Sequence, residues 1–519
     1  METYVIVKRC LQLLGKSRFV RNFEVGRYHT DPDLGSSQNH EIAKGWLENC
    51  CALLGEETQS AQASKLPTRV IDVGDLNCSQ NPRIFLSEMT EDKYAALSHC
   101  WGGVISPLLT TENLVSFQKS IPYYDLPANF RDAISITRQL GIQYLWIDSL
   151  CIIQNSRLDW ETESKKMGSI YRDALLTISA STSRGSTYGI FKSNPLSNEN
   201  EKNITLKVYK NSNLSDSVCI SRRPKTPEEL YEHLNLSGSA RFSKRPKKPE
   251  NLYDLFVGCP LSQRGWTLQE ELLSPRILYY GERQIYWKCP HGFQSADGMP
   301  SVEGGYIMPP DTSTFPRITS ILHRHLSTHS DPRVPQSDMI LEDYYWLVRA
   351  YSSRQLTFES DKLPAFSGIA ELLHPTIGGK YLAGLWSRDL AQGLSWYHDI
   401  GACKHVESYR APSWSWAVTD DPIVFYTFHG KASFSDVYDV QMVSWNIHLK
   451  TESTYGQVES GQLILKGWTK DLVRSSQEIN ALFEESAATV HYDEPGGELG
   501  SYATASLFNV SSDNGDYFL

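Results

Sequence analysis

Three nearly continuous apolar runs, separated by two segments of helical periodicity, place the strongest constraint on how this chain can fold. The runs cover residues 94–97, 144–153 and 175–181, and the segments between them cover 126–141 and 159–174. Apolar residues recur in those segments at the three- and four-residue spacing of a helix. A strand that is apolar at every position must be covered on both faces, so this alternation predicts a parallel α/β sheet between layers of helices.

The length of 519 residues exceeds what a single hydrophobic core usually supports, so we expect several domains. The pattern predicts an α/β core followed by a helical segment and a smaller β-rich module. The expected regions are an N-terminal lead-in (1–90), the α/β domain (91–300, with a polar surface insertion at about 192–258), a helical region (301–410) and a β-rich C-terminal region (411–519).

Outside the α/β core, apolar periodicity predicts further helices at 41–54, 338–354, 363–374 and 381–397. The stretch 276–289 predicts two strands joined by a Gly-Glu turn, as in a hairpin. From about residue 411 the chain consists of short alternating or apolar runs, which favour strands.

Composition narrows the classes of function. The net charge of −10 argues against general binding to nucleic acids or anionic membranes. The ten cysteines form no CxxC pair, which favours reduced, buried thiols over a disulfide framework. No apolar window reaches the length of a membrane span and the N-terminus lacks a signal-peptide core, so we expect a cytoplasmic protein without a membrane span.

The first apolar run belongs to the stretch YAALSHCWGG (94–103), in which Ser, His, Cys and Trp side chains directly follow the apolar residues. Ser98 and His99 are adjacent, so on a strand they point to opposite faces and cannot serve one another directly. The chain also lacks the G-x-S-x-G motif of the common α/β hydrolases. Packing and hydrogen bonding at the strand end are therefore favoured over a nucleophilic site, whose candidate members would be Ser98, His99, Cys100, Asp148 and Cys151.

Two short patterns contain metal-ligating residue types. One is HxHxxxH, formed by His323, His325 and His329, and the other is CPH, formed by Cys289 and His291. Neither pattern supplies the four ligands of a structural zinc site, so we expect no metal site.

Asp148 interrupts the apolar run 144–153. A buried carboxylate must be hydrogen-bonded or paired, and ligands of open α/β sheets bind beyond the carboxyl ends of the strands. Asp148 is therefore either a site residue or a structural carboxylate. Gly102, in the Trp-Gly-Gly stretch, could bring backbone N–H groups close to an anion, although no Walker loop or GxGxxG motif accompanies it.

Four longer motifs occur in the order YAALSHCWGG, YLWIDSLCIIQ, IYRDALLTISA and RGWTLQEELLSPRILYY…QIYWKC. Together they resemble the heterokaryon-incompatibility (HET) domain of filamentous fungi over roughly 94–290, and flanking pieces extend the resemblance to about residue 430. Family members often carry a Cys/His-containing stretch after the Trp of an N-terminal helix. This chain departs from that pattern, because WLENCCALLGEETQS has Cys50 and Cys51 but no histidine.

The resemblance implies an effector of non-self recognition and programmed cell death with a TIR-like, flavodoxin-like fold. It implies action by self-association or by recognition of protein partners through that domain. Some members of the wider TIR group cleave NAD with a glutamate on a short helix, in a pattern similar to WTLQE from Trp266 to Glu270. This alternative makes Glu270, rather than Glu271, the catalytic candidate, with NAD as substrate and no cofactor or metal.

Under this enzymatic alternative, further residues would bind the substrate around Glu270: Ser98, Trp101, Gly102, Asp148, Arg264 at the phosphates, and Trp266. A cleft that joins Ser98, Trp101, Asp148 and Glu270 would favour the enzyme. An Arg264–Asp148 pair that is buried without a cavity would favour a scaffold.

Overall fold

The computed structural model describes residues 30–54, 63–75, 80–192, 258–298, 337–398, 406, 408–425 and 441–466, and the backbone of four further short strands. The helices of this part of the chain are α1 (Ser37–Leu54), α2 (Leu114–Lys119), α3 (Ala128–Gln139), α4 (Asp148–Cys151), α5 (Arg157–Ser164), α6 (Met167–Asp173), α7 (Gly265–Leu273), α8 (Ser337–Ser352), α9 (Pro364–Ile377) and α10 (Leu390–Leu394).

The strands fall into one large sheet and several two-stranded pairs. In chain order they are β1 (Ser64–Lys65), β2 (Arg69–Asp72), β3 (Arg83–Leu86), β4 (Glu91–Asp92), β5 (Tyr94–Ser98), β6 (Tyr144–Trp146), β7 (Leu176–Ser179), β8 (Ile204–Lys210), β9 (Asn213–Ile220), β10 (Ile277–Tyr280), β11 (Ile285–Cys289), β12 (Gly292–Ser295), β13 (Tyr381–Leu382), β14 (Leu385–Trp386), β15 (Trp396–His398), β16 (Ile423–Phe425), β17 (Gln441–Leu449), β18 (Val458–Lys466), β19 (Val490–Tyr492) and β20 (Ala503–Ala505).

The large sheet has eight strands in the order β12-β11-β10-β7-β5-β6-β2-β3. Its four inner strands, β10, β7, β5 and β6, are parallel, whereas the two strands at each edge run antiparallel to their neighbours. The predicted α/β class is confirmed, but the sheet is mixed rather than purely parallel. The edge strands are joined by hairpins, which need no helical crossover and so leave no helical periodicity in the sequence.

The central position of β5 explains its composition. All five of its residues are buried, as a strand covered on both faces requires. One face is covered by α6, where the Tyr94 hydroxyl donates to the Ile170 carbonyl oxygen at 2.6 Å. On the other face, the ring of His99, the residue after β5, lies against Phe130 of α3 with ring centroids 5.2 Å apart.

The apolar run 144–153 does not form one long strand. The strand ends at Trp146 and the chain turns into the short helix α4, whose first residue, Asp148, accepts a 2.7 Å hydrogen bond from the Ser149 backbone N–H. A continuous apolar run is equally compatible with a buried strand and a buried helical turn, so periodicity alone could not place this boundary. The helix predicted at 159–174 is likewise two helices, α5 and α6.

The helix predicted at 381–397 is wrong. Residues 381–386 form the tight hairpin β13–β14, whose turn places Ala383 and Gly384 at positive φ values of 45° and 100°. The turn packs closely on Trp416, because a Cβ on Gly384 would lie 2.6 Å from the indole Nε1. Only the segment of α10 within this stretch is α-helical.

Other predicted elements are confirmed within the described residues. Helices α1, α3, α8 and α9 and the hairpin β10–β11 lie where periodicity predicted them. The insertion contains the hairpin β8–β9, and short strands dominate after residue 411. The HxHxxxH pattern at 323–329 lies outside the described residues. Among the described helices, none combines the length and apolar character needed to cross a membrane.

Two hydrophobic cores meet at α7. The first core fills the space around the large sheet, and the second lies among α7, α8, α9 and the following short strands. Residues Leu268, Leu272 and Leu273 of α7 belong to the second core, while Trp266 packs against both. The helix therefore joins the α/β domain to the helical region.

Glycines allow the helices around α7 to approach closely. A Cβ on Gly168 of α6 would lie 3.0 Å from the Cα of Gly368 in α9. The Gly368 N–H in turn donates a 2.7 Å hydrogen bond to Gln269 Oε1 of α7. No larger side chain fits between these three helices without moving one of them.

We expect Gly368→Ala to destabilise the protein by about 1–3 kcal/mol, since overpacked sites typically cost this much. The added methyl would lie 2.7 Å from Gln269 Oε1 and 2.9 Å from the Gly168 Cα. The matched control is Gly45→Ala in α1, where a Cβ meets nothing within 4 Å. That change should stabilise the helix by about 0.5–1 kcal/mol. Urea-denaturation midpoints measure both, and equal shifts in the two variants would contradict the packing argument.

Candidate functional site

The connections between the parallel strands diverge at β5. The connection through α3 places β6 on one side of β5, and the connection through α5 and α6 places β7 on the other side. Such a switch point opens a crevice beyond the carboxyl ends of the strands, where open α/β sheets bind ligands. The last residues of the two strands, Ser98 and Ser179, are register partners at this point.

Helix α7 places the carboxyl group of Glu270 at this crevice. The Ser98 hydroxyl donates a hydrogen bond to Glu270 Oε2. Both side chains are buried, with exposed fractions of 4% and 6%. The leucines of α7 face the second core, so the helix necessarily turns Glu270 towards the sheet.

A small pocket that opens to solvent lies next to the Ser98–Glu270 pair. Apolar atoms form most of its exposed wall, although seven of its twelve lining residues carry a hydroxyl group: Ser98, Thr177, Ser179, Ser181, Ser262, Thr267 and Tyr279. These hydroxyls bond within the protein, and a hydroxyl oxygen that donates one hydrogen bond can still accept another from a ligand.

Burial dominates the protonation of Glu270. It raises the pKa of this carboxyl to about 7, against the hydrogen bond from Ser98 and the positive charge of Arg264, which lower it. The nearby charge of Asp148 adds to the increase in pKa. A carboxyl with a pKa near neutrality can hold or release a proton at the pH of the cell, which is what general acid–base catalysis needs.

A second polar cluster lies beyond β5 and β6. The Trp101 indole N–H donates to Asp148 Oδ2 at 2.8 Å, and His99 Nδ1 lies 4.0 Å from Asp148 Oδ1. The Arg264 guanidinium donates to the His99 carbonyl oxygen. Burial lowers the pKa of His99 to about 4, so the imidazole is neutral near pH 7. Trp101 and Asp148 thus bond to one another and do not line the pocket at Glu270.

The family model described as Heterokaryon incompatibility protein (HET) matches residues 94–270, from the first residue of β5 to Glu270. These residues form a HET domain. The resemblance of the sequence motifs to this family is confirmed over that range. No curated protein and no solved structure matches the chain.

Cys100 and Cys151 are unsuited to nucleophilic catalysis. Burial raises the pKa of Cys100 to about 11 and that of Cys151 to about 12, so both thiols stay protonated near neutral pH. Ser98 bonds to Glu270, and His99 points to the other face of the sheet. The structure therefore does not bring these residues together as a nucleophile and base.

Gly102 has a positive φ of 71° and makes a close backbone contact. A Cβ at this position would clash with the Cα of Gly185, in the loop after β7. The close packing of the two loops therefore explains why position 102 is a glycine. It does not line the pocket at Glu270.

Trp266, also predicted at the site, points away from the pocket. Its indole N–H donates to Asp361 Oδ2 at 3.1 Å, in the short 3₁₀ turn Glu359–Asp361 before α9. Of the residues predicted from the sequence, the structure brings Ser98 and Glu270 together in the pocket and leaves Trp101, Gly102, Asp148, Arg264 and Trp266 outside its wall.

Sequence reasoning missed the hydroxyl groups contributed by β7 and its extension. Thr177, Ser179 and Ser181 alternate within the apolar run LLTISAS, so they share one face of the strand. Thr177 bonds to Ser274 at 2.7 Å, and Ser179 bonds to Ser181 at 2.9 Å. The period-two placement of hydroxyls in a buried strand was the available signal.

The raised pKa of Glu270 makes a prediction about stability. Unfolded, the carboxyl titrates near its ordinary value of 4.5, whereas in the folded protein its pKa is about 7. Between these values the native state binds more protons than the unfolded state, so this group's contribution to stability falls as the pH rises. We expect the free energy of unfolding of Glu270→Gln to increase relative to that of wild type as the pH rises from 4.5 to 7. The total increase should be about 3 kcal/mol, and the difference should stay constant above pH 7.

Urea denaturation across this pH range measures the difference between variant and wild type. Glu48→Gln, at an exposed position of α1, is the control and should follow the wild-type curve. A Glu270→Gln curve parallel to wild type at every pH would contradict the assigned titration.

Proposed function

We propose that the protein is an effector of heterokaryon incompatibility and that the pocket at Glu270 cleaves the N-glycosidic bond of a nucleotide, NAD. The HET domain supports a heterokaryon-incompatibility-type role. The observation that carries the enzymatic proposal is a buried carboxyl with a near-neutral pKa beside a hydroxyl-lined pocket at the carboxyl edge of the sheet.

A TIR-like, flavodoxin-like fold is part of this proposal. Numbered by their order in the chain, the four parallel strands lie in the spatial order 2-1-3-4. This is the beginning of the flavodoxin-like order 2-1-3-4-5, which binds its nucleotide cofactor at the switch between strands 1 and 3. Those two strands correspond to β5 and β7, whose ends line the pocket at Glu270.

The proposed reaction breaks the bond between the ribose C1′ and the nicotinamide nitrogen. Nicotinamide leaves with the bonding electron pair and becomes neutral, and positive charge develops on the ribose ring, as in glycoside cleavage. The Glu270 carboxylate stabilises that charge and then accepts the proton of the water that attacks C1′. The products are nicotinamide, ADP-ribose and a proton, so no metal or further cofactor takes part.

The pocket hydroxyls supply partners for the sugar in this proposal. Ser98 bonds to Glu270 in the ligand-free protein, and a ribose hydroxyl can replace that bond. The pocket opens to solvent, so the part of the nucleotide beyond the ribose extends outside it in this proposal.

A second candidate function is self-association or partner recognition without catalysis. The contacts of Trp101, Asp148 and Arg264 favour it, because residues expected to bind substrate instead satisfy one another and the backbone. In this alternative the polar cluster stiffens the loops at the sheet edge for a protein interface.

The test of the enzymatic proposal is NAD consumption by the purified full-length protein at high concentration. We expect Glu270→Gln to reduce the rate by at least about a hundredfold, since it removes the charge that stabilises the transition state. Glu271→Gln is the matched control on the same helix. The Glu271 carboxylate is held at the pocket edge by the Tyr279 hydroxyl at 3.3 Å, and its loss should change the rate only a few-fold.

Two results would overturn the enzymatic proposal. One is wild-type protein that leaves NAD intact while its expression still kills the host cell. The other is a Glu270→Gln variant that is folded and retains the wild-type rate. Either result favours the second candidate, and size-exclusion chromatography with light scattering then measures self-association.

The pH dependence of NAD cleavage provides a further check. The reaction uses the ionised carboxylate, and the pKa of Glu270 in the free protein is about 7. We therefore expect kcat/KM to rise about tenfold per pH unit below pH 7 and to level off above it. A rate that is independent of pH from 5 to 8 would contradict the assignment.

A further inference from the structure

The fold brings together three metal-ligating side chains that are far apart in the sequence. Cys50 lies on α1, Cys289 is the last residue of β11, and His291 lies in the turn before β12. His291 Nδ1 lies 3.9 Å from the Sγ of Cys50 and 3.9 Å from the Sγ of Cys289. The three ligand atoms all lie within 4.8 Å of one another.

These separations are close to the distances between ligand atoms in a tetrahedral zinc site. Zinc binds thiolate sulfur at about 2.3 Å and imidazole nitrogen at about 2.0–2.1 Å, which in a tetrahedral site places sulfur and nitrogen about 3.6 Å apart. The observed S···N distances of 3.9 Å exceed this by a few tenths of an ångström. A single ion could therefore contact all three atoms after a small contraction.

The surroundings position the ligands before any ion binds. Trp46 of α1 packs against Trp287 of β11 with ring centroids 6.3 Å apart, which places the helix against the edge hairpin. Cys289 is the register partner of Gly292 across the turn, and the positive φ of 122° at Gly292 lets the chain reverse immediately after His291.

This cluster lies on the opposite face of the sheet from Glu270. Trp287 pairs with Leu278, whereas the neighbouring Tyr279, which lines the pocket, pairs with Tyr286. Adjacent residues of a strand face opposite sides, so Trp287 and Cys289 point away from the pocket towards α1. The two sites can therefore be tested separately.

We propose that Cys50, Cys289 and His291 bind one Zn²⁺ ion, which ties α1 to the β11–β12 edge of the sheet. Three protein ligands leave the fourth position of the ion to water, and the exposed side chain of His291 gives solvent access to it. Ligands from a helix and a distant hairpin make the ion a cross-link between chain segments 241 residues apart. An ion that binds the folded chain and not the unfolded chain stabilises the folded state.

The test measures zinc in the full-length protein after purification under reducing conditions and exposure to Zn²⁺. Elemental analysis should find about one zinc per chain, and a chelator should lower the midpoint of thermal unfolding. His291→Ala removes an exposed ligand without leaving a core cavity, and it should weaken zinc binding about tenfold or more in chelator competition. Cys50→Ser should have a similar effect.

Cys51→Ser is the matched control, because Cys51 is the next residue of α1 and lies outside the three-ligand cluster. It should keep the wild-type stoichiometry and affinity. The proposal would be overturned if wild-type protein contained no more zinc than the His291→Ala variant. Equal zinc loss in Cys51→Ser and Cys50→Ser would also overturn it, as would a Cys50–Cys289 disulfide that persists under the reducing conditions.

Discussion

The packing of α7 between two hydrophobic cores is the constraint on which the rest of the structure depends. Its leucines face α8 and α9, and its remaining face meets the carboxyl ends of β5 and β7. The helix has no room to slide, because Gly168 and Gly368 approach to van der Waals contact beside it and Gln269 bonds to the Gly368 N–H. Glu270 is thus positioned by contacts that do not involve its own carboxyl group. A functional group held in this way by rigid elements needs little reorganisation to act.

The same packing sets the electrostatics of the site. Glu270 is shielded from water by the helix that carries it, and the resulting desolvation outweighs the opposing effects of Ser98 and Arg264 on its pKa. The surroundings of Asp148 are different although it lies near the same sheet edge, because the Trp101 indole and the Ser149 backbone N–H both donate hydrogen bonds to its carboxylate. Two carboxyl groups near the same sheet edge, one on α4 and one on α7, therefore have distinct environments, one supported by hydrogen bonds and one mainly desolvated. The Glu270 carboxyl, with a pKa of about 7, can exchange a proton near neutral pH, and the Asp148 carboxylate hydrogen-bonds to Trp101 in the loop after β5.

Sequence periodicity predicted the class of the fold and most helices, because apolar positions at helical or continuous spacing directly reflect burial. It failed where a turn interrupts an apolar run, as at Asp148 and at Gly384, since burial continues through such a turn. The family motifs placed Ser98 and Glu270 in one candidate site but did not predict their hydrogen bond. The hydroxyl groups of β7 were missed, because serines within an apolar strand suggest no particular partner. The Cys50–Cys289–His291 cluster was beyond sequence reasoning. Its members are brought together by the packing of α1 on β11, and the CPH pattern by itself supplies too few ligands.

Burying the Glu270 carboxyl lowers the stability of the fold through desolvation. The groups around it bear on why such a residue is present. A structural polar pair needs hydrogen-bond partners but no adjacent pocket, as the half-buried Trp101–Asp148 contact illustrates. The Ser98–Glu270 pair instead lies beside a pocket lined by further hydroxyl groups. An apolar side chain of similar size would remove the desolvation penalty and could still fill the volume over β5. The combination of an unfavourable ionisation, a rigid helix and an adjacent pocket is the physical basis on which we propose binding and chemistry at Glu270.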